Sequence, residues 1–305
     1  MELLTVEPAA ETQTRFFSAC LDRLSAQGRV PLDDTEGSPE LMLRALWFAA
    51  HGRPCSLAQA ESLPLPPLSL PARLRLEDLV ERLAGGAHVA HLTRRCSFMG
   101  LELMIGPEAL VPQKETELLA TIAVEFLSRA GGQPTAIDVC TGSGNLALAL
   151  ACHVPGSRVW ASDLSPGAVA LARQNALHLQ VNHRVEVFVG DLFAPIEKSH
   201  GGVQVDLIVC NPPYISSAKV DALKPEVARS GPRLAFDGGP FGLNILSRLI
   251  NESPRFLKPG GYLCFEVGAG QGPCLLKLMK TMSHYSEVRT ASDPQGVVRV
   301  LIGRT

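Results

Sequence analysis

Four short apolar runs, at 136–139, 159–162, 185–189 and 207–210, recur along the second half of the chain with helix- or loop-length segments between them. Each is too short for a helix. Such alternation is the pattern of a doubly wound, mostly parallel sheet covered on both faces. Three further strand segments, at 262–267, 287–290 and 297–302, bring the expectation to an α/β fold with a Rossmann-like sheet of seven strands. Residues 291–296 are too few for a parallel crossover, so the last two strands are expected to pair antiparallel.

The first part of the chain reads differently. Residues 9 to about 90 look helical. Ser38-Pro39-Glu40 is a helix start, a capping hydroxyl followed by proline at the first helical position, and Leu43, Leu46, Trp47 and Ala50 follow at helical spacing up to Gly52 and Pro54. The proline-rich stretch 63–71 predicts an extended connector. Leu76, Leu79, Val80 and Leu83 share one face of a further helix, which Gly85-Gly86 closes. Residues 96–105 read as a strand pair or short hairpin. A helix over about 115–129 is expected to turn Leu118, Leu119, Ile122, Ala123 and Phe126 inward. The expected organisation is a helical domain at 1–92, a hairpin linker at 93–112 and an α/β domain at 113–305.

Composition narrows the partners. The 305 residues are 46% hydrophobic and 19% charged, enough for a sizeable core. Lys plus Arg number 28 against 30 Asp plus Glu, so no basic field would gather nucleic acid. The eight cysteines form no C-x-x-C pair, and several lie in apolar runs as small hydrophobes. No metal site is expected. No apolar run reaches bilayer length, and the expectation is a soluble, cytoplasmic monomer.

The first run of the α/β part ends in Asp138-Val139-Cys140-Thr141-Gly142-Ser143-Gly144-Asn145. A glycine turn alone is as consistent with a plain tight turn as with a nucleotide site. It is neither a G-x-G-x-x-G fingerprint nor a phosphate loop with its lysine, which points to a cofactor without a pyrophosphate. Asp163, followed by Leu164, ends the second run, where a carboxylate can accept from both ribose hydroxyls. Asp191, followed by Leu192, ends the third, where it can accept from an adenine amino group. One strand-end aspartate is commonly a cap or turn former. Three acids at the ends of three successive strands fit S-adenosylmethionine, with Asp138, Thr141, Gly142, Gly144, Asn145, Asp163, Leu164, Asp191 and Leu192 around it.

The fourth run ends in Asn211-Pro212-Pro213-Tyr214. A stiff loop would account for the prolines but not for the asparagine and tyrosine. A planar nitrogen is a poor nucleophile because its lone pair is conjugated. The Asn211 side-chain oxygen and the Pro212 carbonyl can each accept one N–H, hold that nitrogen and aim its lone pair at a methyl group. Tyr214 can stack on the flat face of an amide or base. Asn211, Pro212 and Tyr214 are the candidate catalytic residues. Asn211 also borders the cofactor, and Pro213 lies on the substrate side.

These motifs, with Phe98-Met99-Gly100, Glu115-Thr116-Glu117, Pro225-Glu226-Val227, Asp237-Gly238-Gly239 and Leu257-Lys258-Pro259-Gly260-Gly261, resemble the HemK-type family of peptide chain release factor glutamine methyltransferases, of the class I S-adenosylmethionine-dependent enzymes. The resemblance runs from about Gly86 to Arg304. It implies a small helical N-terminal domain, a β-hairpin linker and a catalytic domain. It also implies a release factor as partner, whose Gly-Gly-Gln loop enters a cleft between domains, and it puts Glu115 on the substrate side. The family's usual Arg-Pro is here Gln113-Lys114. Three other readings stay open: a nucleic-acid amine as acceptor, a small molecule or another amide or amine as acceptor, and a non-catalytic binding protein. Charge balance argues against the first, and the intact motifs argue against the last. His153, His178 and His183 are expected to be solvated or packed.

Overall fold

The computed structural model describes residues 9–26 and 37–305. The part of the expected helical stretch at 27–36, and the first eight residues, lie outside them. The chain divides into two compact units, Met1–Ser97 and Phe98–Thr305, so residues 98–112 belong with the second unit.

The first unit is helical: α1 (Ala9–Ala26), α2 (Pro39–Ala50), α3 (Leu57–Ser62), α4 (Leu70–Ala84) and α5 (Val89–Thr93). Serine caps begin three of them. Ser38, Ser56 and Ser69 each accept a hydrogen bond from a backbone N–H of the first turn. The extended connector expected over 63–71 ends earlier, at Ser69. Ser69-Leu70-Pro71 is a cap followed by proline in the first turn, where the missing N–H has no intrahelical partner to lose. Trp47 is fully buried among Leu43, Leu46, Leu76 and Val80, and its indole N–H donates to the Pro66 carbonyl at 2.8 Å.

A strand pair, β1 (Arg95–Phe98) and β2 (Leu101–Met104), follows. After it come α6 (Thr116–Ser128), β3 (Thr135–Val139), α7 (Asn145–His153), β4 (Arg158–Asp163), α8 (Pro166–His178), β5 (Val185–Val189), α9 (Ala194–His200) and β6 (Val205–Cys210). The short helices α10 (Ser217–Val220) and α11 (Pro225–Ala228) lead to α12 (Asn244–Glu252), β7 (Leu257–Glu266), α13 (Gly272–Lys280), β8 (Glu287–Ser292) and β9 (Val298–Arg304).

The seven strands stand in the order β5-β4-β3-β6-β7-β9-β8. The first five in that order pair parallel, and β9 pairs antiparallel with both β7 and β8, as the short 291–296 connection requires. Both faces are covered. Ile137, Val139, Ile208, Cys210, Leu263 and Phe265 pack with Phe193 of the β5–α9 connection, Ile250 of α12 and Met279 of α13. The alternate residues Ala136, Asp138, Leu207, Val209 and Cys264 are equally buried on the other face. Helix α6 buries Thr116, Leu119, Ala120, Ala123 and Leu127. Leu118, Ile122 and Phe126, expected on the inner face, are half-buried, and Phe126 stacks on Tyr262 at 4.2 Å between ring centroids. The strand order reverses at β3, whose neighbours are β4 and β6. In open α/β sheets the carboxyl ends of the strands at such a reversal form a crevice.

Among the described residues, no helix is long and apolar enough to cross a membrane.

Candidate active site

A cavity of about 280 Å³ opens at that reversal. It is lined by Thr141, Gly142, Ser143 and Asn145 after β3, Asp163 and Leu164 after β4, Asp191 and Leu192 after β5, and Asn211 to Tyr214 after β6. Four strand ends thus converge on one cavity. Asp138, the last but one residue of β3, is fully buried and does not line the cavity.

The β3–α7 turn is built around two carboxylates. Thr141 Oγ1 donates to Asp138 at 2.5 Å and the Ala147 N–H donates to the same oxygen at 3.1 Å. Asp138 Oδ1 and the buried Ser143 hydroxyl have no hydrogen-bond partner among the described residues. Asp163 accepts from the Gly142 N–H at 2.8 Å and from the Ser165 N–H at 2.9 Å, so it ties the β3 turn to the β4 turn. Gly144 begins α7 at φ +87°, and a side chain there would meet Ala172 and Leu148 at 3.1 Å. Glycine suits both the positive φ and the close approach of this turn to Ala172 of α8.

Burial pushes the Asp138 carboxyl up to about 7, against its bonds from Thr141 and Ala147. Burial also raises Asp163. A carboxyl raised in the fold contributes most to stability when protonated. Asp138's contribution therefore falls as pH rises from about 4 to about 7 and is level above that. In cofactor-free unfolding, Asp138→Asn is expected to gain on the wild type by on the order of 2 kcal/mol between about pH 5 and about pH 7. A difference that does not change with pH would show that Asp138 is ionised throughout.

Asp191 is engaged differently from Asp163. Both its oxygens face Arg248, at 3.1 and 2.9 Å, and about half its side chain is exposed. Leu192 beside it is buried.

After β6, Asn211 Nδ2 donates to Thr116 Oγ1 at 3.0 Å, and Thr116 Oγ1 donates to Glu266 at 2.7 Å. The Tyr214 hydroxyl donates to the other Glu266 oxygen at 3.1 Å. Burial pushes up both the Tyr214 phenol and the Glu266 carboxyl, while its bonds from Thr116 and Tyr214 hold the carboxyl down. Pro212 is buried and Pro213 half-buried.

The Asp237-Gly238-Gly239 stretch clamps this loop. Ile215 N–H donates to the Phe236 carbonyl, Gly238 N–H donates back to Ile215, and Gln271 Nε2 donates to the Tyr214 carbonyl at 2.9 Å. The Ser217 hydroxyl bond, with the Gly239 N–H and Arg233, holds the Asp237 carboxyl below its ordinary range. Gly242 has φ +70°, and a methyl there would sit 2.1 Å from the Tyr214 carbonyl oxygen. Gly242→Ala is expected to cost about 2–3 kcal/mol of stability and to lower turnover with it. Wild-type melting temperature and rate in that variant would show that the clamp does not hold the loop.

Glu115 is exposed and is not among the described residues lining the cavity; Thr116 and Gln113 take that place. Gln113 folds back to donate to the Val111 carbonyl at 2.6 Å, and Lys114 pairs with Glu117 at 2.6 Å. His153 is partnered by the Met99 carbonyl at 2.9 Å. Motif reading includes Thr116 within Glu115-Thr116-Glu117 without a role of its own, and it leaves Glu266 out. The available signal was one glutamate inside the apolar run Tyr262-Leu263-Cys264-Phe265-Glu266-Val267. Among the described residues, no His, Cys, Asp and Glu side chains gather so as to hold a metal ion.

Comparison with known proteins identifies the family. The methyltransferase small domain family matches residues 114–241. The human methyltransferase 10 domain containing protein shares the fold, with a TM-score of 0.50 at 17% identity over 77% of this chain and 98% of that one. The release factor glutamine methyltransferase of Moorella thermoacetica is 36% identical over 250 residues, 82% of this chain and 85% of its own. That of Caulobacter vibrioides is 35% identical over 295 residues, 96% of each chain. Identities of 36% and 35% over 82% and 96% of its length mean that this chain belongs to the family of release factor glutamine methyltransferases.

Proposed function

We propose that the protein transfers a methyl group from S-adenosylmethionine to the side-chain amide nitrogen of a glutamine in a peptide chain release factor, in its Gly-Gly-Gln loop. The observation that carries this reading is the convergence of the β3, β4 and β5 turns with Asn211-Pro212-Pro213-Tyr214 on one cavity.

The donor set fits the cofactor. Carboxylates accept hydrogen bonds, and a nucleoside offers ribose hydroxyls and an adenine amino group as donors. Asp163 would hold the ribose and Asp191 with Leu192 the adenine, while Asp138 and Thr141 keep the Gly142–Gly144 turn in shape. Asp138 Oδ1 and the Ser143 hydroxyl are buried polar atoms with capacity to spare at the same turn. S-adenosylmethionine, when bound, supplies a methyl on a sulfonium that becomes a neutral thioether after transfer. The protein's task is therefore to present the nitrogen. The Asn211 carbonyl oxygen and the Pro212 carbonyl each accept one amide N–H, which localises the lone pair and fixes its direction. Tyr214 packs on the flat face of the amide. The amide proton leaves after transfer, so no strong base is required.

The test is incubation with labelled S-adenosylmethionine and a release factor. Label is expected on the intact factor and none on a factor whose loop glutamine is alanine. Equal label on both would refute the assigned acceptor.

A further inference from the structure

An asparagine amide is the same size at both ends, so packing alone does not decide which end faces the cavity. Both Glu266 oxygens accept from a hydroxyl, which matches an ionised carboxylate, and with Glu266 in that state the proton inventory decides. Thr116 has one hydroxyl proton. The Glu266 carboxylate takes it at 2.7 Å, and the Tyr214 hydroxyl proton goes to the carboxylate's other oxygen at 3.1 Å. Thr116 Oγ1 is then left as an acceptor, and it meets Asn211 Nδ2 at 3.0 Å. A flipped Asn211 would set its carbonyl oxygen against an oxygen with no proton to give. Thr116 and Glu266 are 1% and 5% exposed, so water does not substitute for either bond.

We propose that Thr116, with its proton committed to Glu266, is a positioning residue that fixes the Asn211 amide so that its carbonyl oxygen faces the methyl acceptor. This rests on the reading of Asn211 as the group that holds the acceptor nitrogen. It adds a reason for a threonine between the two glutamates: its hydroxyl passes the direction of a buried carboxylate to the loop after β6. Valine keeps the shape of threonine and lacks the hydroxyl, whereas serine keeps the hydroxyl.

The experiment measures kcat, KM for the release factor and cofactor affinity in Thr116→Val and Thr116→Ser. In Thr116→Val, kcat is expected to fall about tenfold with cofactor affinity retained, and Thr116→Ser is expected to restore most of the rate. A Thr116→Val enzyme as fast as the wild type, or a Thr116→Ser enzyme as slow as Thr116→Val, overturns the proposal. Hydrogen exchange of the Asn211 side-chain NH2, read by NMR on the unmodified protein, tests the orientation without substrate or variant. Protection is expected, and exchange as fast as in a free amide overturns the proposal. If the wild type methylates no release factor, the acceptor assignment fails by itself, and the NMR result still decides whether the amide is held.

Discussion

Replacing Asn211 with alanine is expected to lower turnover by about 100-fold or more while leaving affinity for S-adenosylmethionine nearly unchanged. The side chain sits at the end of β6, with its NH2 tied to Thr116. Its oxygen is the acceptor left to meet an amide N–H. That contact matters most as the nitrogen leaves conjugation, so its loss should appear in kcat more than in KM. The cofactor's ribose and adenine are assigned to other strand ends, which is why binding should survive. Calorimetry and steady-state kinetics on the same preparation separate the two effects. Near-normal turnover in the variant would remove Asn211 from the chemistry.

Asp163→Ala is expected to weaken S-adenosylmethionine binding by about 10- to 100-fold. Its carboxylate does two things at once: it holds the Gly142 and Ser165 N–H groups, and it keeps lone pairs for a ribose. Alanine leaves two backbone donors without their partner and loosens the turn as well as deleting the contact. Asp163→Asn, which keeps one acceptor oxygen, should lose less. Asp191→Ala should also lose less than Asp163→Ala, because the Asp191 carboxylate is already shared with Arg248 and half exposed. Calorimetric affinity equal to wild type in Asp163→Ala would contradict the assigned ribose contact.

The inner strands β3, β4 and β6 were legible in the sequence because they are buried on both faces, which leaves continuous apolar runs with turns between them, whereas the edge strand β8 is open along its length. The antiparallel end was legible from the length of 291–296 alone. The helix start at Ser69 was obscured by proline, which signals both an extended chain and a first helical turn. The inner face of α6 was placed on its larger residues, yet the fold buries Ala120 and Thr116 fully and leaves Ile122 and Phe126 partly open. The strand-end residues could be read as a group, since parallel topology brings the ends of successive strands to one edge. Pairings across the fold could not. Nothing near Thr116 in sequence indicates Glu266, 150 residues away, and nothing near Asp191 indicates Arg248. Those contacts depend on which strand becomes the neighbour of β6 and on where α12 lies.

The most direct test of the central claim is the position of the transferred methyl. After incubation with S-adenosylmethionine and a release factor, tandem mass spectrometry of the proteolysed factor is expected to show one methyl group, on the side-chain amide nitrogen of the Gly-Gly-Gln glutamine. A methyl located on any other residue, or an unmethylated factor after prolonged incubation with enzyme that binds S-adenosylmethionine, would contradict it.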